Sequence, residues 1–190
     1  QLPERVLQFG EGNFLRAFVD WMIDGMNRQN LFNGSVVVLN PTARGSLDKL
    51  NEQEGLYTVV LRGLENGKPI EQQQRVECIS RGINPYKDFE AFLQCAHNPE
   101  LGFIVSNTTE AGIVFSSSDK FEERPPASFP GKLTVFLHER WRTLPDGGFI
   151  LLPCELIERN GDTLKRTVLE TARHWSMSEE FCEWVERANV

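Results

Sequence analysis

Residues Val6–Ala17 have the sequence VLQFGEGNFLRA, in which two glycines separate an apolar run from a helix-like pattern. The apolar run, Val6–Phe9, has the length of a short buried strand. From Asn13 onward, apolar residues recur at helical spacing, so a helix is expected to continue to about Asn30. The β-branched run at 36–39 is typical of a second buried strand. A strand, a glycine turn, a helix and a strand in this order predict a βαβ unit of a parallel sheet.

The alternation of strands and helices resumes after one interruption. Residues 56–62 and 69–79 flank the turn-rich stretch ENGKP, which predicts a β-hairpin inserted into the core. The later elements are predicted as helices at about 86–97, 133–144 and 161–175 and from Ser178, and as strands at 102–105 and 149–152. The sequence therefore predicts one α/β domain over residues 1–190, Rossmann-like and doubly wound, with a mostly parallel sheet and a hairpin insertion.

Composition and charge narrow the classes of function. The net charge of −7 argues against a nucleic-acid partner, because phosphate binding needs a clustered basic surface. No apolar run approaches the roughly 18 residues that predict a membrane span, and no signal-like start is present. A cytoplasmic protein without a membrane partner is therefore expected. The four cysteines lack the spacing of a zinc site, so we expect reduced, mostly buried thiols and no metal; they are Cys78, Cys95, Cys154 and Cys182.

The glycine turn is the strongest candidate for a ligand site. Gly10 permits a tight turn after the strand, and Gly12 lets backbone N–H groups approach a pyrophosphate at the start of a helix. Leu15 stands where the usual third glycine would be, so an ordinary strand-to-helix turn stays an alternative, and any such turn also fits a flavin. Arg16 can reach a cofactor phosphate or an acidic substrate, or else lie in solvent. The candidate cofactor-binding residues of this segment are Phe9, Gly10, Glu11, Gly12, Asn13, Phe14 and Arg16.

The end of the second strand is the place where NAD and NADP are distinguished. An acid there binds the ribose 2′-hydroxyl of NAD, whereas an arginine accommodates the 2′-phosphate of NADP. The residues here are NPTAR at 40–44, with no acid. Arg44 leans towards NADP, while Asn40 remains a candidate cofactor-binding residue through a ribose hydroxyl, so the residues alone leave the cofactor open.

Polar side chains also follow two later strands. Asn107, Thr108 and Thr109 are candidate contacts of the nicotinamide ribose, because ligands bind beyond the carboxyl ends of strands in this fold. Glu110 and Glu155 are candidate substrate-binding residues. The alternatives are a side-chain turn that closes a loop and a cap on the Asn160-Gly161 turn. The three histidines fall on predicted helices and none is placed as a general acid; they are His97, His138 and His174.

Four segments together resemble the tagaturonate reductase (altronate oxidoreductase) branch of the mannitol dehydrogenase family of long-chain polyol dehydrogenases. They are residues 8–21, 54–58, 106–113 and 153–157 with Asn160-Gly161. The broader family shows G-x-G-x-F-x-R-A without a third glycine, and this chain matches it with Gly10, Gly12, Phe14, Arg16 and Ala17. Where mannitol dehydrogenases carry Cys-Asp-Asn, this chain has Cys-Glu-Leu at 154–156, which favours the uronate branch.

The resemblance implies an NAD-dependent oxidoreductase of hexuronate catabolism. The implied reaction is reversible hydride transfer between NAD(H) and carbon 3 of a six-carbon sugar acid, which interconverts tagaturonate and altronate. This implication favours NAD over the weak indication from Arg44. Two alternatives stay open: another uronate or polyol dehydrogenase of the family, such as fructuronate reductase, and a non-catalytic module that senses NAD(H).

The resemblance also implies that the catalytic groups lie elsewhere. The family carries Lys, Asn and His on a Lys-x4-Asn-x2-His pattern in a helical carboxy-terminal domain. Counted from Lys165, the last lysine, the Asn and His positions hold Glu170 and Arg173. We therefore expect no catalytic residue in this chain, and residues 170–190 to lead towards an absent catalytic domain. The chain is expected to bind dinucleotide without appreciable catalysis.

Overall fold

The computed structural model describes residues 2–40, 42–43, 47–108 and 112–189, and its centre is a five-stranded sheet. In chain order the elements are β1 (Glu4–Phe9), α1 (Asp20–Arg28), β2 (Ser35–Leu39), α2 (Asp48–Glu52), β3 (Tyr57–Glu65), β4 (Lys68–Val76), β5 (Ile79–Ile83), α3 (Phe89–Gln94), β6 (Phe103–Ser106), α4 (Phe129–Thr143), β7 (Ile150–Pro153), α5 (Asn160–His174) and α6 (Glu179–Ala188). The sheet order is β5-β2-β1-β6-β7 with every pair parallel, while β3 and β4 form a separate antiparallel hairpin. The predicted Rossmann-like fold with a hairpin insertion is confirmed.

Apolar cores lie on both faces of the sheet. The centre of β2, Val36–Leu39, is completely buried, as expected for a strand covered on both sides. Helices α3 to α6 pack together on one face, around the rings of Phe92 and Phe136. Helix α1 and the base of the hairpin cover β1 and β2 on the other face, around Leu15 and Val59. This arrangement leaves the carboxyl ends of β1, β6 and β7 along one edge.

Two elements were not expected from the sequence. The return strand of the hairpin ends at Val76, and Ile79–Ile83 is a separate strand parallel to β2, so the predicted return strand at 69–79 was too long. This fifth strand escaped prediction because its interior, Ser-Arg-Gly, is polar and only its two isoleucines are buried. The short helix α2 at Asp48–Glu52 was not expected either, and it buries none of its own residues.

The bounds of two helices also differ from expectation. Helix α3 starts at Phe89 rather than near Tyr86, because Asp88 caps it by accepting a hydrogen bond from the N–H of Ala91 at 2.9 Å. Helix α4 begins at Phe129, four residues before its predicted start, and Ser128 caps it. Local capping groups, rather than apolar periodicity, set both starts.

The helix after the glycine turn was predicted from its periodic apolar residues, and several of these are exposed to solvent. Phe14, Phe18 and Met22 are 48%, 50% and 38% exposed. The buried side carries Asp20 and Asp24, which face the hairpin. The first helical turn, Leu15–Val19, has π-helical hydrogen bonding, in which the N–H of Asp20 donates to the carbonyl of Leu15. Periodicity thus identified the helix but not the face that it buries.

Two further expectations concern the membrane and the cysteines. Within the described ranges, no helix has the length and apolar character to cross a membrane. Cys78, Cys95 and Cys182 are buried, Cys154 is partly exposed, and all four are free thiols. The expectation of mostly buried cysteines is confirmed.

Candidate dinucleotide site

The carboxyl ends of β1 and β6 form a crevice at the point where the strand order reverses. The chain passes from β1 to β2 on one side, whereas β6 lies on the other side of β1. The N–H of Gly10 donates to the carbonyl of Leu39 at 3.1 Å, and the N–H of Asn107 donates to the carbonyl of Phe9 at 3.2 Å. The glycine turn and the end of β6, predicted separately, therefore lie side by side where open α/β sheets bind their ligands.

The two glycines of the turn have different physical roles. Gly10 has a φ of +130°, and a Cβ there would lie 3.0 Å from Cδ1 of Leu15 and 3.2 Å from the carbonyl oxygen of Asn107. Any other residue at Gly10 would therefore be strained and crowded. A Cβ at Gly12 would meet nothing within 4 Å. The space in front of Gly12 is open, as a phosphate-binding turn requires.

The missing third glycine has a structural explanation. Leu15 is 1% exposed and belongs to the core under the turn. Its side chain fills the space beside Gly10, and the first helical turn is the wider π form. The helix and β1 are therefore separated by a packed leucine side chain instead of meeting backbone to backbone.

Arg16 lies against the hairpin rather than free in solvent. Its guanidinium donates to Oδ1 of Asn13 at 3.1 Å and lies 5.7 Å from the centre of the Tyr57 ring. Its Nε is buried without a hydrogen-bond partner among the described residues. Nearby, burial raises the pKa of Glu11, and the charge of Arg16 lowers it in part. The first N–H groups of the helix lack intrahelical acceptors, so positive potential and free donors meet at Asn13.

Asn40, at the end of β2, is buried and already accepts one hydrogen bond within the protein. It is 1% exposed, and its Oδ1 accepts a hydrogen bond from the N–H of Thr42 at 3.2 Å. Its Nδ2 has no partner among the described residues, which leaves one donor for a ligand or a water molecule. Arg44 lies outside the described residues.

Glu155 joins the ends of β6 and β7. It is 3% exposed, and its carboxylate accepts from the hydroxyl of Ser106 at 3.0 Å and from the N–H and hydroxyl of Thr108 at 3.0 and 2.9 Å. Asn107 Nδ2 donates to the carbonyl of Cys154 at 2.9 Å. The structure thus brings the predicted residues of both strand ends together, with Glu155 as the acceptor that holds the loop. The other two candidates of this loop, Thr109 and Glu110, lie outside the described residues.

Sequence reasoning missed a buried polar cluster beneath the turn. Gln8 and Asp20 are both 0% exposed, and Gln8 Nε2 lies 3.1 Å from the carbonyl of Gly10 and 3.4 Å from Oδ2 of Asp20. The hydroxyl of Tyr57 lies 3.2 Å from the same oxygen. Burial raises the pKa of Asp20 to about 7, against the lowering effect of Gln8, Tyr57 and Arg16. The available signal was an acid four residues after Arg16 in a helix that is otherwise apolar there.

The histidines lie on helical segments, as predicted. His97 contacts Glu139, with Nε2 2.7 Å from the carboxylate oxygen, while His138 packs against the ring of Phe181. His174 lies at the end of α5, 3.2 Å from the carbonyl of Ser117. Among the described residues, no group of three His, Cys, Asp or Glu side chains is arranged to hold a metal ion.

The parallel sheet with its glycine turn at the reversal point defines a domain of the Rossmann class. The chain belongs to the mannitol dehydrogenase family, because the family model of the mannitol dehydrogenase Rossmann domain matches residues 4–190. Altronate oxidoreductase from Bacillus subtilis (strain 168) is 48% identical over 193 residues, which cover 100% of this chain and 40% of the relative. Altronate oxidoreductase from Halalkalibacterium halodurans is 49% identical and is covered over 38% of its length. The chain thus spans about two fifths of the length of these curated relatives.

Two solved structures share the fold at low sequence identity. The ternary complex of Pseudomonas fluorescens mannitol 2-dehydrogenase with NAD and D-mannitol has a TM-score of 0.83 at 18% identity and covers 100% of this chain and 40% of its own. A substrate-free D-sorbitol dehydrogenase has a TM-score of 0.80 at 19% identity, with coverage of 100% and 41%. Both support the same domain architecture.

Proposed function

We propose that this chain is the NAD(H)-binding domain of an oxidoreductase that interconverts tagaturonate and altronate by hydride transfer. The observation that carries the proposal is the open glycine turn at Gly12, placed between β1 and a helix at the reversal point of a parallel sheet. The choice of reaction rests on the altronate oxidoreductases that are 48% and 49% identical to this chain. A cytoplasmic location is part of the same proposal.

The turn is proposed to hold the pyrophosphate. A Cβ at Gly12 would meet nothing within 4 Å, so a phosphate could approach the backbone there. The positive end of the helix favours an anion at this position. Arg16 adds a cation whose Nε has no partner among the described residues. Asn40 is proposed to donate to a ribose hydroxyl through its free Nδ2. The NAD bound in mannitol 2-dehydrogenase, a structure with the same fold, favours NAD over NADP.

The end of β6 is proposed to hold the nicotinamide half of the cofactor. Asn107 and Thr108 follow this strand on the side of the crevice away from β2. Thr109, which lies outside the described residues, is proposed as a further contact of the same half. Glu110 and Glu155 are proposed on the substrate side. Glu155 already accepts three hydrogen bonds from Ser106 and Thr108, so its main contribution would be to fix that loop.

These positions assign cofactor binding to this chain and most of the catalytic groups to another part of the protein. Bound NAD supplies the hydride acceptor, and this chain's residues bind and orient it. A proton donor and most substrate contacts are assigned to the part of the longer relatives beyond the segment matched here. Residues 1–190 are therefore expected to bind NADH while turning over tagaturonate more slowly than the complete protein by several orders of magnitude.

Titration with NADH and NADPH tests the cofactor assignment. NADH is expected to bind at least about tenfold more tightly than NADPH, a difference of about 1.4 kcal/mol. Gly12→Val should weaken NADH binding by more than about 100-fold, since the side chain would occupy the space of the pyrophosphate. The apo fold should tolerate this change because the position is open. Gly63→Val in β3 is the matched control, because a Cβ there also meets nothing within 4 Å.

The sugar acid needs a separate test on the complete protein. Tagaturonate is expected to be reduced with NADH in preference to fructuronate, which separates this function from fructuronate reductase. NADH binding with no turnover of any keto-acid by the complete protein would instead indicate a sensing module. Wild-type affinity for NADH in the Gly12→Val variant would place the cofactor elsewhere.

A further inference from the structure

An apolar groove runs along the face of the sheet that carries α1. This helix packs over β1 and β2, and the neighbouring strands β6 and β7 form the floor of a groove of about 860 Å³. Its wall on the helix side includes Phe18, Met22 and Met26, and its floor includes Val105 and Leu152. No charged side chain lines it among the described residues.

The two faces of β7 differ sharply in burial. Ile150 and Leu152, both 46% exposed, pair in register with Phe103 and Val105, so all four point to the α1 face. Leu151 points to the opposite face and packs into the core with helices α4 and α5. An amphipathic edge strand would have polar residues at the two exposed positions. Apolar residues there indicate a face that another element covers.

The helix contributes the same signal from the other side of the groove. Phe18, Met22 and Met26 are 50%, 38% and 37% exposed. They form part of the stripe that gives this helix its apolar periodicity. Together with the exposed face of β7 they line one continuous apolar groove. A contiguous exposed apolar surface of this kind is typical of an interaction site.

We propose that this groove is the docking surface of the carboxy-terminal part of the protein, the part that the longer relatives carry beyond the matched segment. This chain corresponds to the amino-terminal part of relatives of which it covers 40%. An uncharged apolar lining fits a permanent partner in the same polypeptide, since transient interfaces are more polar.

The path of the chain favours this occupant over a second copy. Helix α6 brings residue 189 to the beginning of β7, where Oδ1 of Asn189 accepts a hydrogen bond from the N–H of Phe149 at 3.1 Å. Gly148 packs against the backbone of Ala188 so closely that no Cβ would fit. A segment that continues from this point starts beside the strand that forms the groove floor, and it reaches the groove without crossing the domain.

The position of the groove gives the docking a functional meaning, which rests on the proposed function. Its upper end is formed by Pro153, Cys154 and Asn160, next to Glu155 at the carboxyl edge of the sheet. A domain seated in the groove would present its side chains to the nicotinamide side of the crevice. The docking itself is independent of which nucleotide binds.

Methionine oxidation reports directly on this surface. The chain has three methionines; Met22 and Met26 line the groove, whereas Met177 packs against the core on the opposite face. Residues 1–190 and the complete encoded protein are treated with dilute hydrogen peroxide, and each site is followed by mass spectrometry. Met22 and Met26 are expected to oxidise at least about tenfold more slowly in the complete protein, because oxidation follows exposure, while Met177 keeps its rate.

A substitution in the groove provides a second test of the docking proposal. Met22→Glu in the complete protein should restore rapid oxidation of Met26 and lower Tm by about 5 °C or more. The same change in residues 1–190 should shift Tm by less than about 2 °C, because the site is open there. Leu64→Glu on the hairpin, at a residue that is 75% exposed, is the matched control and should change neither reading.

Two outcomes would overturn the proposal. Equal oxidation rates of Met22 in both proteins would mean that the carboxy-terminal part lies elsewhere. Protection in residues 1–190 that disappears on dilution would identify a second copy as the occupant. NADH binding is not used in either reading, so failure of the docking proposal is distinguishable from failure of the cofactor assignment.

Discussion

The hydroxyl of Tyr57 lies 3.2 Å from Oδ2 of Asp20 and 2.8 Å from the carbonyl oxygen of Arg16. A phenol has one proton to donate, and the shorter distance assigns it to the carbonyl. A protonated Asp20 can then donate to the phenol oxygen, which satisfies both contacts. Burial raises the pKa of Asp20 to about 7, which favours the protonated carboxyl below that pH.

This contact connects three parts of the molecule. Tyr57 belongs to the hairpin, Asp20 begins α1, and Gln8 lies in β1 directly under the glycine turn. Gln8 donates towards both Asp20 and the carbonyl of Gly10. The inserted hairpin thus braces the turn that is proposed to hold the pyrophosphate.

Asp20→Asn should change how stability depends on pH. Asp20 has a pKa of about 7 in the folded chain against a reference value of 3.8, so the folded state binds its proton more tightly than the unfolded state. Its contribution to stability is fully present below the reference value and is lost as pH rises towards 7, up to about 4 kcal/mol in all. The amide keeps an acceptor and carries no charge, so the variant should be more stable than the native chain at pH 8.

Thermal unfolding at pH 5 and pH 8 checks this expectation. The native chain should lose more stability between the two values than Asp20→Asn does. Asp24→Asn is the contrasting control. The carboxylate of Asp24 is paired with Arg28 at 2.7 Å, so loss of its charge should destabilise the protein. An Asp20→Asn variant less stable than the native chain at pH 8 would contradict the assignment of a neutral carboxyl.

Glu155→Gln should loosen the loop after β6. The carboxylate accepts three hydrogen bonds from Ser106 and Thr108, and an amide turns one acceptor oxygen into a donor that faces other donors. A loss of about 1–3 kcal/mol in the free energy of unfolding is expected, with weaker NADH binding. Urea denaturation and NADH titration measure the two effects, and the exposed Glu158→Gln is the control. Unchanged stability would mean that Glu155 does not hold this loop.

Gly10→Ala and Gly12→Ala should have opposite signatures. Alanine at position 10 is strained by the φ of +130° and crowded by Leu15 and Asn107, so stability should fall by about 1–3 kcal/mol. Alanine at position 12 meets open space and should leave stability within about 0.5 kcal/mol. Differential scanning calorimetry of both variants without nucleotide separates them; equal losses would refute the distinction.

Arg140→Lys should destabilise the domain without touching the site. Arg140 is 2% exposed, and its guanidinium donates to the carbonyls of Ala96, Asn98, Leu101 and Gly147 at 2.6–2.9 Å. An ammonium cannot reproduce this fork, so buried carbonyls lose donors and about 2–4 kcal/mol of stability is expected to be lost. Arg142→Lys, at a side chain that is 61% exposed, should be neutral in the same denaturation assay. Retained affinity for NADH at low temperature would show that the effect is on folding.

The predicted elements and the observed ones differ where local patterns are weak. Strand β5 has a polar interior and becomes a strand only because β2 offers it a partner. The strand ends were predicted as ligand contacts, and the structure places Gly10 next to Asn107. Asp20 was missed because its partners lie 12 residues before it and 37 residues after it in the chain. Such contacts depend on the hairpin folding back over the helix.

Local sequence was sufficient for the fold class, although not for strand β5 or helix α2. Two glycines between an apolar run and a helical pattern, followed by further strands and helices, predict a Rossmann domain because backbone freedom and periodicity are local properties. Which face of each element is buried depends on how the elements pack. Packing leaves Phe18 and Leu152 in an open groove and buries Asp20 under the glycine turn. It also places the carboxylate of Glu155 where it accepts hydrogen bonds from the loop after β6. Burial and pKa arise from neighbours distant in the chain, so they became visible only once the chain was folded.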